Sequence, residues 1–104
     1  MPASILHRYG DGDELTSEAQ LRDLLRELDE RPEDIEHGSV SVSNDSGWCI
    51  SVSRGGYVIF EHLEDGGERH MRGVGEPKIL EMWSRLAAGD LSAIEQEPWK
   101  PGYQ

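Results

Sequence analysis

Hydrophobic positions along this chain follow two periods, and the change from one to the other marks out the elements. Across residues 39–74 they recur at every second position. Val40 and Val42 alternate with Ser39, Ser41 and Ser43, and Trp48, Ile50 and Val52 alternate with Cys49, Ser51 and Ser53. Val58 and Phe60 follow, and then Arg69, Met71 and Gly73 alternate with His70, Arg72 and Val74. Period two over runs this short predicts half-buried strands. The breaks are Asp45-Ser46-Gly47, Arg54-Gly55-Gly56 and Asp65-Gly66. The first two suit three-residue loops with glycine last, and Asp-Gly suits a two-residue type I′ turn.

These loops predict a register. Val42 pairs with Ile50, Val40 with Val52, Ile50 with Phe60, Val52 with Val58, and Phe60 with Met71. One face then gathers Val40, Val42, Trp48, Ile50, Val52, Val58, Phe60 and Met71. The other carries the serines with Cys49, Tyr57, Ile59, Glu61, His70 and Arg72. A slip of one residue would move a strand's apolar set to the wrong face, so the clean segregation favours this pairing.

On either side of these strands the period lengthens to that of a helix. Leu21, Leu24, Leu25 and Leu28 stand at i, i+3, i+4 and i+7, one apolar stripe. Ser17 and Gln20 have capping-box spacing, with Thr16 as the other candidate N-cap, and Arg31-Pro32 ends the helix. Gly75-Glu76-Pro77 opens a second helix with Pro77 at its first position. Its apolar surface is Ile79, Leu80, Met82, Trp83, Leu86 and Ala87, and Gly89 is its stop. Asp90 is placed to cap a short turn over residues 91–96. Near the start, Ile5, His7 and Tyr9 alternate with Ser4, Leu6 and Arg8, a first strand added at the edge, and Asp11-Gly12-Asp13 marks a turn. The expected order is β-α-β-β-β-β-α. It defines an α+β fold, an antiparallel β-meander with helices packed on one face, in a two-layer sandwich forming a single domain over residues 1–104.

Charge changes this picture more than composition does. Twenty-one acidic residues against ten basic ones give a net charge of −11. Residues 11–36 hold eleven of the acids and three of the bases, which is −8 of that total. Phosphate binding needs the opposite sign, so nucleic acid and anionic membrane are excluded as expected partners. A solvated helix face that keeps the chain soluble explains such a run, and so does a negative patch that steers a basic partner. Asp23, Glu27 and Glu30 recur at i, i+4 and i+7 as one row on the face away from the leucines, and they are the candidates for steering. The lone Cys49 forbids an internal disulfide and, with no apolar signal or membrane-length run, points to the cytoplasm.

The search for chemistry returns little. Asp11 begins a stretch that imitates a calcium loop, but its twelfth position is Arg22 where a bidentate carboxylate is needed. The four histidines lack i, i+4 spacing, so no metal is expected. Cys49 has no helix N-terminus after it to lower its pKa, and no glycine-rich loop joins a strand to a helix, so neither a nucleophile nor a cofactor is expected. Trp48 and Trp83 fall on apolar faces and read as core, whereas Trp99 either docks the tail or meets a partner. If both helices cover the apolar face, the serine face is bare, with Tyr57, His70 and Arg72 at one end. An antiparallel sheet can simply face water. Aromatic and arginine side chains on a flat platform also suit protein recognition, including pairing of two copies as a homodimer.

Several segments together resemble a known group. They are Gly47-Trp48-Cys49-Ile50-Ser51-Val52, Gly56-Tyr57-Val58-Ile59-Phe60-Glu61, Leu86-Ala87-Ala88-Gly89 and Glu97-Pro98-Trp99, set behind a leucine helix. In this layout the chain resembles the immunity proteins of bacterial polymorphic toxin systems, in particular the family often paired with nucleic-acid deaminase toxins. The resemblance implies a non-enzymatic inhibitor that binds and occludes one cognate toxin.

Overall fold

The structure is a computed structural model that describes residues 3–7, 12–30 and 38–102; the side chains of Asp29 and Glu30 lie outside the description. Seven strands form one antiparallel sheet in the order β2-β1-β3-β4-β5-β6-β7. They are β1 (Ala3–Leu6), β2 (Gly12–Glu14), β3 (Ser39–Asn44), β4 (Trp48–Ser53), β5 (Tyr57–His62), β6 (Gly66–Met71) and β7 (Lys100–Pro101). The described residues also form the helices α1 (Glu18–Glu30), α2 (Glu76–Ala87) and α3 (Leu91–Glu95). The fold is the expected α+β two-layer sandwich, and the sheet is open. Among the described residues no helix is long and apolar enough to cross a membrane.

The core lies between the sheet and the helices. Leu21, Leu24, Leu25 and Leu28 of α1 and Ile79, Met82, Trp83 and Leu86 of α2 are buried with Val40, Val42, Ile50, Val52, Val58 and Phe60. Leu21 to Leu28 occupy one face of α1 because their spacing follows the helical period, and the valines occupy one face of the sheet because theirs is two. Trp83 is fully enclosed, and its indole N–H donates to the carbonyl of Ile50 at 3.0 Å. That bond satisfies the one polar atom the ring carries into the core.

Local signals set the starts of α1 and α2, with Pro77 at the second rather than the expected first position of α2. Gln20 turns its side-chain oxygen back to the amides of Thr16 and Ser17, at 2.6 and 2.9 Å, which is the N3 half of a capping box. Gly75 is the N-cap of α2, and Gly89 at φ 80° turns the chain out of that helix.

Three features differ from the expected layout. A short strand, β2, follows β1 and takes the sheet edge, so β1 is an interior strand between β2 and β3. Arg8, Tyr9 and Asp11, expected in the first strand and its turn, lie outside the described residues, as do residues 31–37. The extended tail adds β7 beside β6, pairing Arg69 with Pro101 and His70 with Lys100. Trp99 docks, its ring 5.4 Å from that of Phe60 and its N–H donating to the Ile94 carbonyl at 2.7 Å.

The third difference is register. The pairs Val42–Ile50, Val40–Val52, Ile50–Phe60 and Val52–Val58 are present. The expected pair of Phe60 with Met71 is not: Phe60 pairs with Arg69, and Met71 pairs with Val58. The turn after β5 holds three residues, and β6 then runs from Gly66 to Arg69 against only His62 to Phe60 of β5. Gly66 and Gly67, at φ 78° and 68°, supply the left-handed backbone that this bulge requires. His62 fastens the turn by accepting from the amides of Glu64 and Asp65 at 3.3 and 3.2 Å, while its Nε2 donates to the Ser46 carbonyl at 2.8 Å. A carbonyl cannot donate, so the ring is held as the neutral Nε2–H tautomer, joining two hairpin turns.

Candidate functional site

The described part of the acidic stretch folds into the free edge of the sheet and the outer surface of α1. Every residue of β2 is exposed, Asp13 and Glu14 among them, and Glu18 and Asp23 of α1 are exposed as well. Charge on an edge strand also discourages pairing with another chain.

His7 joins the two acidic elements. Ala3 and Ile5 of β1 are buried toward the helices, and alternation places His7 on that same side. Its Nδ1 lies 2.5 Å from Oε2 of Glu27 on α1, and its Nε2 lies 2.6 Å from Oδ2 of Asp13 on β2. Ionised carboxylates only accept, so both ring nitrogens donate and the geometry is that of an imidazolium. Burial pulls the His7 pKa down and is the largest single influence. The hydrogen bonds to Glu27 and Asp13 and the two charges together outweigh it, so the pKa stands above the ordinary 6.5. Neighbouring β3 carries only serines, valines and Asn44, none of which titrates.

This clasp corrects the expected row of Asp23, Glu27 and Glu30. Asp23 is exposed, its side chain 74% accessible, with Arg26 at 3.7 Å. Glu27 is only 19% accessible and is turned to His7. The side chain of Glu30 lies outside the described residues. What does run across the surface is Asp13, His7, Glu27 and Asp23, spanning two elements. The helical period could not reveal the ion pairs across it, although the period of β1 already put His7 beside Ile5.

A consequence for stability follows with a definite sign. Because the folded pKa of His7 is raised, its contribution is fully present below pH 6.5 and is lost as the pH rises through the folded value. Urea melts of wild type and His7→Gln should therefore differ most on the acidic side and converge as the pH climbs. Parallel curves through that range would show that the clasp contributes nothing.

The other candidate surface is the uncovered face of the sheet. Tyr57 and Arg72 do come together there, the guanidinium carbon standing 4.8 Å from the ring centroid. His70 does not present itself to a partner as expected: it is 1% exposed, and its Nδ1 donates to the Gly102 carbonyl at 2.9 Å. The chain turns over it after β7, a cover that the pattern of the strands alone does not contain. Cys49 is buried on this face, its Sγ 3.8 Å from Oγ of Ser51. Burial pushes its thiol pKa up, against smaller opposing hydrogen bonds from Ser51 and Ser41, which disfavours the thiolate a nucleophile needs. Leu6 of β1 is 49% exposed. Among the described residues no three His, Cys, Asp or Glu side chains gather as metal ligands.

Together these define an open antiparallel α+β sandwich with an acidic edge and one uncovered sheet face. No protein-family model matches the chain, and neither a curated protein nor a solved structure matches it.

Proposed function

We propose that this chain is a non-enzymatic, acidic protein-binding module, acting in the bacterial cytoplasm as an immunity protein that binds and occludes a basic, nucleic-acid-acting toxin. The observation that carries the reading is the exposed negative edge, with Asp13 and Glu14 on β2 and Glu18 and Asp23 on α1. A toxin that acts on nucleic acid carries a basic substrate cleft, and exposed carboxylates on the sheet edge and on α1 offer that cleft charge in place of phosphate. The toxin class itself comes from the resemblance in the segments around Trp48, Tyr57, Gly89 and Trp99.

The first test is co-purification with the product of the adjacent gene, followed by association kinetics. Charge reversal should spare the clasp, so Glu18→Lys and Asp23→Lys are the substitutions to combine, leaving Asp13 and Glu27 in place. Association should slow at low salt, and the difference should shrink as ionic strength rises, because exposed charges are screened over about 10 Å at 0.1 M. An unchanged on-rate at low salt would reduce the acidic edge to a solvated surface. A second reading, a homodimer through the uncovered sheet face, is favoured by the exposed Leu6 there. Sedimentation equilibrium decides it, since a Leu6→Glu variant should dissociate such a dimer and leave a monomer unaltered.

A further inference from the structure

The edge strand β2 is held lightly. Every one of its residues is exposed, and Ser4–Glu14, Ile5–Asp13 and Leu6–Gly12 are its pairs with β1. Just past its end the Leu15 amide donates to the Ala3 carbonyl at 2.9 Å, and the Gln20 side-chain amide donates to the Glu14 carbonyl at 3.1 Å. Among the described residues, Asp13 is the one side chain of β2 that hydrogen-bonds to another element, and its partner is Nε2 of His7. The same ring holds Nδ1 against Glu27 of α1, so a single imidazole joins β2 to the helix layer.

That arrangement is satisfied in one protonation state only. An imidazolium donates from both nitrogens, and each carboxylate accepts. A neutral ring keeps one hydrogen, and its other nitrogen then turns a lone pair toward a carboxylate oxygen 2.5 or 2.6 Å away. Two acceptors repel at that distance, so one contact opens. The carboxylates differ in what they have in exchange. Glu27 is 19% accessible, whereas Asp13 is 60% accessible and can turn to water. The hydrogen therefore stays on Nδ1, toward the carboxylate with less access to solvent. Among the described residues no other charge bears on the choice. Nothing on β3 titrates, Asp23 and Arg26 of α1 face one another at its exposed surface, and Glu14 points to the opposite side of the sheet from Asp13.

We propose that His7 is a pH-operated latch on the sheet edge: as the imidazolium it fastens β2 to α1, and as the neutral ring it keeps Glu27 and releases Asp13, loosening β2. The release falls above pH 6.5, because the folded pKa of His7 lies above that value. The backbone groups of β1 that β2 covers then open more often, and the acidic edge gains a free carboxylate as it loses the positive charge of the ring. This change of charge would strengthen the pull on a basic partner, a consequence that rests on the protein-binding reading. The latch itself belongs to the chain alone and is tested without a partner.

The test is NMR on the full chain across the titration of His7. Imidazole nitrogen shifts report the tautomer. Exchange protection of the Leu15 amide, corrected for the intrinsic pH dependence of exchange, reports the opening of β2. The neutral ring should carry its hydrogen on Nδ1, and Leu15 protection should fall about fivefold as the ring loses its charge, the scale of an exposed charged pair. Asp13→Asn supplies the second arm, since an amide can accept from the imidazolium or donate to the neutral ring. Leu15 protection in that variant should be flat across the same range. A neutral ring with its hydrogen on Nε2 would overturn the proposal, because the helix contact rather than the strand contact would then open. Wild-type protection that does not change with pH, or a fall just as steep in Asp13→Asn, would refute the latch as well.

Discussion

Trp83→Ala is expected to destabilise the fold by about 3–5 kcal/mol, the range for removing a large aromatic side chain from a packed core. Trp83 is fully buried between α2 and the sheet, among residues drawn from most of the elements, and is one of the largest side chains in the core. Its removal leaves a cavity bounded by strands whose hydrogen bonding resists collapse, and it strips the Ile50 carbonyl of the indole donor. Small domains are stable by about 5–15 kcal/mol in total, so this variant should melt at a far lower urea concentration. Trp83→Phe keeps a six-membered aromatic ring while losing the N–H and the rest of the five-membered ring, so it leaves a smaller gap and should cost clearly less. An alanine variant within about 1 kcal/mol of wild type would mean that the core closes over the gap, against the expectation from packing.

Gly56→Ala is expected to cost on the order of 3 kcal/mol, and its neighbour provides the control. Both Gly55 and Gly56 lie in the turn between β4 and β5 with positive φ, 82° and 78°. An L-residue there costs about 1–2 kcal/mol in either case. Only at Gly56 is space also lacking: a Cβ would fall 2.4 Å from the Val74 carbonyl oxygen and 2.6 Å from the Val74 nitrogen. Those atoms are backbone and cannot rotate away. Moving them would also break the bond that the Val74 amide donates to the Gly56 carbonyl at 3.1 Å, a further loss of about 1 kcal/mol. At Gly55 nothing lies within 4 Å of the added carbon. Urea melts should therefore rank wild type above Gly55→Ala and Gly55→Ala above Gly56→Ala. Equal costs for the two substitutions would show that the crossing of Gly56 and Val74 does not constrain the fold.

Much of this architecture was legible in the order of residues, and the part that was not shares a physical cause. The serine and valine alternation of β3 and β4 assigned faces correctly because side-chain direction in a strand depends only on the strand's own period. The leucine stripe of α1 and the glycine stop of α2 are local in the same way. The β5–β6 register was not legible, because the actual pairing differs from the expected one by two residues. An even shift returns Met71 and Arg69 to the same side of the sheet, so segregation of apolar residues tests parity and is blind to it. Only the bulge at Gly66 and Gly67 decides the pairing, and with it the place of Arg69 against Phe60, 4.8 Å from the ring centroid.

The candidate sites divide along the same line. The concentration of carboxylates in residues 11–36 is a property of the sequence. Which carboxylates remain available is decided by contacts between elements far apart in the chain. Glu27 is drawn to His7 across twenty positions, and His70 is covered by Gly102 across thirty-two. Periodicity reports which way a side chain points from its own backbone. What it meets there depends on how β1, α1 and the tail pack, and that packing exists only in the folded chain.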